Sequence, residues 1–224
     1  MKQWGTIAAV LAAWWLQSAA AVARDPSPTK RILVLGDSLS VGFGLKPSEA
    51  WPALVTEKLR AAGLTNFEVT NASQTGGTTA GGLQRLPPHL KWKIDIFILE
   101  LGINDAFRAV PIATIRNNLQ AIIDRVKDRN PNVRVIIAGM QLPNYTADDY
   151  VFAFGKLYAD LAAQNNAILI PYLLEGVGGD PSLNQPDRIH PNAAGQRILA
   201  ENVWRILEQI AREVATKRAT AHVS

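Results

Sequence analysis

The run Ile32-Leu33-Val34-Leu35-Gly36-Asp37-Ser38-Leu39-Ser40 decides the fold class. Four apolar residues in succession, closed by a glycine, describe a strand buried on both faces rather than one with a wet side. Polar residues follow at once, as they do where a strand ends at an open edge. Working outward, further strand patterns fall at residues 67–70, 94–101, 133–138 and 168–171. Between them, apolar residues step by three and four. One stripe is Ile112, Ile115, Leu119, Ile122 and Val126, and a second is Tyr150, Phe154, Leu157 and Leu161. The clearest runs through Leu199, Val203, Ile206, Ile210 and Val214. Strands that alternate with helices require right-handed crossovers and a parallel sheet covered on both faces. The expected architecture is an α/β three-layer α/β/α sandwich.

The chain has 224 residues, enough for one domain with a real core, and its 48% hydrophobic and 19% charged content reads as globular. It contains no Cys, which excludes a disulfide framework, a thiol nucleophile, Cys-ligated zinc and iron–sulfur clusters. A net charge of +4, scattered along the chain, makes no nucleic-acid footprint, and no nucleic-acid partner is expected. With three His, imidazole chemistry must choose among His89, His190 and His222.

Residues 1–23 carry one charge, Lys2, then an apolar centre and the small-residue ending Ala21-Val22-Ala23. This reads as a secretory signal peptide, with an uncleaved membrane anchor as the competing reading. Cleavage after Ala23 leaves 224 − 23 = 201 residues and no stable membrane anchor. Residues 24–31, with Pro26 and Pro28, read as a linker, 32–216 as one domain and 217–224 as a polar tail.

In open parallel sheets ligands bind beyond the carboxyl ends of the strands. Four polar clusters occupy such positions. They are Gly36-Asp37-Ser38-Leu39-Ser40, Asn71-Ala72-Ser73-Gln74-Thr75-Gly76-Gly77, Gly102-Ile103-Asn104-Asp105 and Asp187-Arg188-Ile189-His190-Pro191. Ser38 needs a base to become a nucleophile. His190 can supply it, and Asp187, three residues earlier, can orient the ring and stabilise the imidazolium. The Ser38 and Gly76 amides and the Asn104 side-chain NH₂ are candidate donors to an oxyanion.

These four blocks resemble those of the SGNH (GDSL) hydrolase family, and more narrowly its bacterial thioesterase I/protease I/lysophospholipase L1 group and related arylesterases. The similar phrases, such as LGDSLSVGFGL, NASQTGGTTAGGLQRLP, ILELGINDAFR and MQLPNY, extend from about residue 31 to 210. The resemblance implies a flavodoxin-like domain with five parallel strands that hydrolyses acyl esters and thioesters, with no metal and no cofactor. It implies Ser38 as nucleophile, His190 as base, Asp187 as its orienter, and an oxyanion hole of Ser38, Gly76 and Asn104. Two departures stand out. The glycine block reads Gly76-Gly77-Thr78 where relatives carry Gly-Asp-Thr, which leaves Gly77 as the fallback for Gly76. Ile103 stands where some relatives have glycine, and a branched side chain there can narrow the pocket.

Each piece has a plainer reading. Asp and Ser after a strand commonly make turns or helix caps, and Asp37 and Asp105 are expected to hydrogen-bond the loops that hold Ser38 and Asn104. Ser40 is expected to cap or pack, and Arg108 and Lys46 to be solvated. Leu39, Phe107, Met140, Leu142, Pro143 and Tyr145 are candidates to line an apolar acyl groove, with ordinary loop packing as the alternative. A nucleotide-binding module lacks both glycine fingerprints, and an α/β-hydrolase lacks the G-x-S-x-G elbow. A carbohydrate O-acetylesterase and an inactive secreted binding protein remain as rivals. The expected protein is a monomeric, periplasmic or secreted serine hydrolase acting on a small acyl ester or lipid.

Overall fold

The computed structural model describes residues 28–142 and 149–216. The signal-peptide reading, the tail and His222 lie outside the described residues. In chain order the elements are β1 (Lys30–Leu35), α1 (Ser38–Val41), α2 (Trp51–Ala61), β2 (Phe67–Asn71) and α3 (Thr79–Arg85). Then come β3 (Ile96–Leu99), α4 (Ile103–Ala106), α5 (Ile112–Arg129), β4 (Arg134–Ala138), α6 (Asp149–Asn165), β5 (Ile168–Ile170) and α7 (Ala193–Thr216).

The five strands form one sheet in the order β2-β1-β3-β4-β5, every neighbouring pair parallel. All of β3 is buried, and β1 and β4 are almost so, as a run without polar alternation requires. The edge strands β2 and β5 are only partly covered. On one face α2 packs against α7; on the other α3 packs against α5, and α5 against α6. The α/β sandwich is therefore the fold.

β1 starts at Lys30, inside the segment read as linker, because Lys30 and Arg31 pair with Phe67 and Glu68 through their backbones, which needs no apolar side chain. On α7 the buried stripe passes through Leu207 rather than Ile206, which is half-buried. Among the described residues no helix is long and apolar enough to cross a membrane.

From β1 the chain goes to β2 on one side and afterwards to β3 on the other. The crevice between the carboxyl ends of β1 and β3 is thus the switch point where ligands bind in such sheets. The last helix reaches this crevice too. Gln196 of α7, fully buried, accepts the Trp51 N–H (2.8 Å) and donates to the Leu39 carbonyl (3.0 Å). It caps α2, whose first residues have no side-chain cap of their own.

Candidate active site

Ser38 opens α1, a single helical turn directly after β1. Asp37 caps that turn, its Oδ1 accepting the Leu39 N–H at 2.9 Å. Gly36 is required by close approach: a Cβ there would overlap Glu100 Oε2 and Ser40 Oγ. Ser40 is fully buried, donating to Glu100 Oε2 (2.6 Å) and accepting from Trp51 Nε1 (3.2 Å). Ser38 is therefore clamped on both sides.

The second component comes from the loop before α7. An isolated antiparallel bridge between Asn184 and Pro191 shapes it, with the Gln185 N–H donating to the His190 carbonyl at 2.8 Å. His190 Nε2 lies 3.0 Å from Ser38 Oγ, and its Nδ1 lies 2.7 Å from Asp187 Oδ2. An ionised carboxylate only accepts, so the neutral ring carries its proton on Nδ1 and offers the Nε2 lone pair to the serine. Asp187 Oδ1 also accepts the N–H groups of Ile189 (2.9 Å) and His190 (3.0 Å). The hydrogen bond from the His190 ring, then the two backbone N–H groups, hold the Asp187 carboxyl down at about 2. The wrap of the loop around this carboxylate puts Arg188 at φ +59°, a left-handed conformation unusual for a residue with a side chain.

Two contacts join the components. Gln185 Nε2 donates to the Phe43 carbonyl at 2.6 Å, and the Phe43 ring rests on the His190 imidazole with centroids 4.6 Å apart.

The candidate oxyanion donors lie at the same edge. Asn104, in α4, gives one Nδ2 hydrogen to Asp37 Oδ2 at 2.9 Å, which fixes the amide and leaves its second hydrogen. Burial pushes the Asp37 carboxyl up to about 6, although the Leu39 and Asn104 hydrogen bonds favour its charged form. Gly76 sits at φ +67°, which only glycine adopts freely. The Gly77 N–H is already donated to Gln74 O (2.9 Å), whereas no described acceptor takes the Gly76 amide. Geometry thus favours Gly76 over Gly77 as the available donor. Asp105 fixes the spacing between these blocks, since its two oxygens accept the Thr79 N–H (2.8 Å) and hydroxyl (2.6 Å).

A model of the GDSL-like Lipase/Acylhydrolase family matches residues 34–198. The chain belongs to this family. It is 41% identical over 180 residues to the esterase TesA of Pseudomonas aeruginosa, which covers 80% of this chain and 88% of that one. It is 36% identical over 171 residues to thioesterase 1/protease 1/lysophospholipase L1 of Escherichia coli K12, across 76% of this chain and 79% of the relative. The crystal structure of TesA matches with a TM-score of 0.76 at 39% identity, spanning 81% of this chain and 99% of that one.

In this GDSL-family chain the expected acyl groove needs correction. Leu39 and Met140 are packed in the core, 3% and 1% exposed, and offer no surface to a substrate. Leu39 turns inward from α1. Past β4 the chain still pairs beside β5, through Gly139 N–H to Ile170 O (2.8 Å) and Leu173 N–H to Gly139 O (2.9 Å), and this holds Met140 inside. Phe107 is 60% exposed and Leu142 is half-buried against the core, while Pro143 and Tyr145 lie outside the described residues. Ile103 is 9% exposed and belongs to the core cluster. Among the described residues no group of three or more His, Asp or Glu forms a candidate metal site.

Sequence reading missed four residues around the site: Phe43, Glu100, Gln185 and Arg85. Arg85 is half-buried and donates to the carbonyls of Gly36 (2.6 Å) and Ala72 (3.1 Å), joining the serine turn to the glycine loop. Glu100 did leave a signal, as an acid near the end of the strand run 94–101, whose other charged residue is Asp95.

Proposed function

We propose that this chain is an exported serine hydrolase that cleaves carboxylic acyl esters and thioesters through an acyl-enzyme on Ser38. The observation that carries the reading is the continuous hydrogen-bonded line Asp187–His190–Ser38, with Asn104 held beside it. The names of its relatives, esterase and thioesterase 1/protease 1/lysophospholipase L1, support the substrate class.

Ser38 Oγ attacks the carbonyl carbon while its proton passes to His190 Nε2. The new imidazolium is stabilised by Asp187, which stays ionised throughout. The Ser38 and Gly76 amides and the free Asn104 hydrogen receive the carbonyl oxygen as it becomes negative. When the tetrahedral species collapses, the C–O or C–S bond breaks and His190 returns the proton to the leaving alcohol or thiol. Water then gives a proton to His190, attacks the acyl carbon, and releases the carboxylic acid with Ser38 reprotonated.

The test is a chain-length series of aryl esters beside lysophospholipid and acyl-CoA. A phosphonate ester should label Ser38 at one per chain and abolish turnover. Near-normal activity of His190→Ala would overturn this mechanism. Export is tested separately by sequencing the N-terminus of the chain recovered outside the cytoplasm, with Arg24 expected first.

A further inference from the structure

Directly under the serine turn lies an acid that the proposed chemistry leaves unused. Glu100 follows β3, is 0% exposed, and is held by its own N–H to the Leu35 carbonyl at 2.9 Å. Its Oε2 accepts the Asp37 N–H (3.0 Å) and the Ser40 hydroxyl (2.6 Å). One oxygen thus ties down the residues on both sides of Ser38. Through Asp37 the same strap reaches Asn104, because the carboxylate that orients the Asn104 amide hangs from the backbone that Glu100 holds.

The other oxygen, Oε1, is buried and has no hydrogen-bond partner among the described residues. An ionised carboxylate there would leave an anionic oxygen with no donor, beside a second buried carboxyl on Asp37. The cation of the cluster, Arg85, spends its Nη2 and Nε on backbone carbonyls, keeps a buried Nη1 without a partner, and forms no ion pair with either acid among the described residues. One cation held off two buried acids does not neutralise both, so one acid keeps its proton. Both Asp37 oxygens accept hydrogen bonds, from Leu39 and Asn104, whereas Glu100 is the acid with an unpaired oxygen. The charged and titratable groups around it are Asp37 in the serine turn, Arg85 of α3 and Tyr158 of α6, with Asp105 and His190 further out.

We propose that Glu100 is a positioning residue that works as a neutral acid, holding Ser38 and Asn104 in register, and that its ionisation sets the alkaline limit of the reaction. Burial first, and the Asp37 charge second, push its carboxyl well above the ordinary carboxylate range, in agreement with this geometry. Loss of the proton sets two like charges against each other in a dry pocket. The turn relieves them by moving, and the serine leaves its attack position. The proposal rests on Ser38 being the nucleophile.

The experiment compares pH profiles of kcat and KM for wild type, E100Q and E100A with an aryl ester, alongside phosphonate labelling of Ser38. Glutamine reproduces the neutral acid, its carbonyl oxygen still accepting from Asp37 and Ser40. E100Q is expected to turn over within about threefold of wild type near neutral pH. It should remain active at alkaline pH where wild type declines. E100A frees both sides of the serine and should lose roughly 10²-fold in kcat, with KM little changed. An E100Q profile that falls with the wild-type alkaline limb, or an E100A kcat equal to wild type, overturns the proposal. If phosphonate fails to label Ser38 in wild type, it is the nucleophile assignment that has failed. Infrared spectra of wild type decide the matter if E100Q does not fold. A protonated-carboxyl band that persists above neutral pH and disappears with the alkaline loss of activity supports the proposal, and its absence above neutral pH overturns it.

Discussion

The ring of Phe43 lies on the imidazole of His190, centroids 4.6 Å apart and planes tilted by 43°. Phe43 is 42% exposed, so its place is set by the site rather than by the core. The face of an aromatic ring attracts a cation, and the proposed mechanism makes His190 one when it takes the Ser38 proton. Removing the ring should therefore cost rate more than stability. Phe43→Ala is expected to lower kcat/KM by roughly 3- to 10-fold with the melting temperature little changed. Phe43→Leu keeps the apolar contact without the ring. Kinetics of the pair separate the two contributions: equal losses in both variants assign the effect to the aromatic face.

Asp187 has a side chain 38% exposed, so water can reach it. Asp187→Asn is expected to reduce kcat by less than the ~10⁴-fold typical of a buried orienting aspartate. Ser38→Ala and His190→Ala should abolish turnover, and Ser38→Ala should melt close to wild type, whereas Asp187→Asn gives up the stability its carboxylate contributes. A series of kcat values with matching thermal melts tests this ordering.

Asn104 gives one hydrogen to Asp37 and keeps a second, which the proposed mechanism assigns to the oxyanion. Asn104→Ala is expected to lower kcat by ~10²–10³-fold with KM nearly constant, the signature of a donor used only in the transition state. Gly76→Ala keeps the amide but forces a side chain into a positive-φ conformation, costing roughly 1–2 kcal/mol. It should therefore lower stability as well as rate, and denaturant titrations beside steady-state kinetics distinguish the two variants.

Asp37 has a carboxyl raised to about 6 in the folded chain, above its ordinary value of 3.8. The folded state therefore holds this proton more tightly than the unfolded state does. The stabilisation is complete below the ordinary value and is lost as pH rises through about 6. Asp37→Asn cannot ionise and still caps Leu39 through its oxygen, but it turns an N–H towards Asn104. Relative to wild type, its unfolding free energy should be higher at about pH 8 than at about pH 4, while its kcat falls at both. Chemical denaturation at the two pH values gives the sign. Asp187, held at about 2, behaves in the opposite sense, losing its contribution only as pH falls towards that value.

What could be read from the chain follows the range of each interaction. β1, β3 and β4 announce themselves because a strand buried on both faces must be apolar throughout. Ser38, Gly76, Asn104 and His190 could be singled out as candidates because each follows a strand or precedes a helix at the carboxyl edge of a parallel sheet. Leu39 and Met140 were misjudged because adjacency to the site in sequence does not say which way a side chain turns. Phe43 and Gln185 were invisible, since their contacts join loops distant in sequence and depend on the docking of α7. Glu100 is hidden by the strand character of its run, although a buried acid between Leu99 and Leu101 requires a partner.

The amide of Gln196 gives the molecule a direction in time. Ser38 emerges early in synthesis, yet the carbonyl of Leu39 and the N–H of Trp51 wait for a side chain on the final helix. The base is equally late, 152 residues after the serine. Long-range closure of this kind is slow, and it is all or nothing for the chemistry. A chain whose last helix has not docked holds Ser38 in an unfinished turn with no imidazole beside it. On the proposed mechanism activity therefore begins only with the completed molecule, and its appearance marks the moment at which the last helix has folded home.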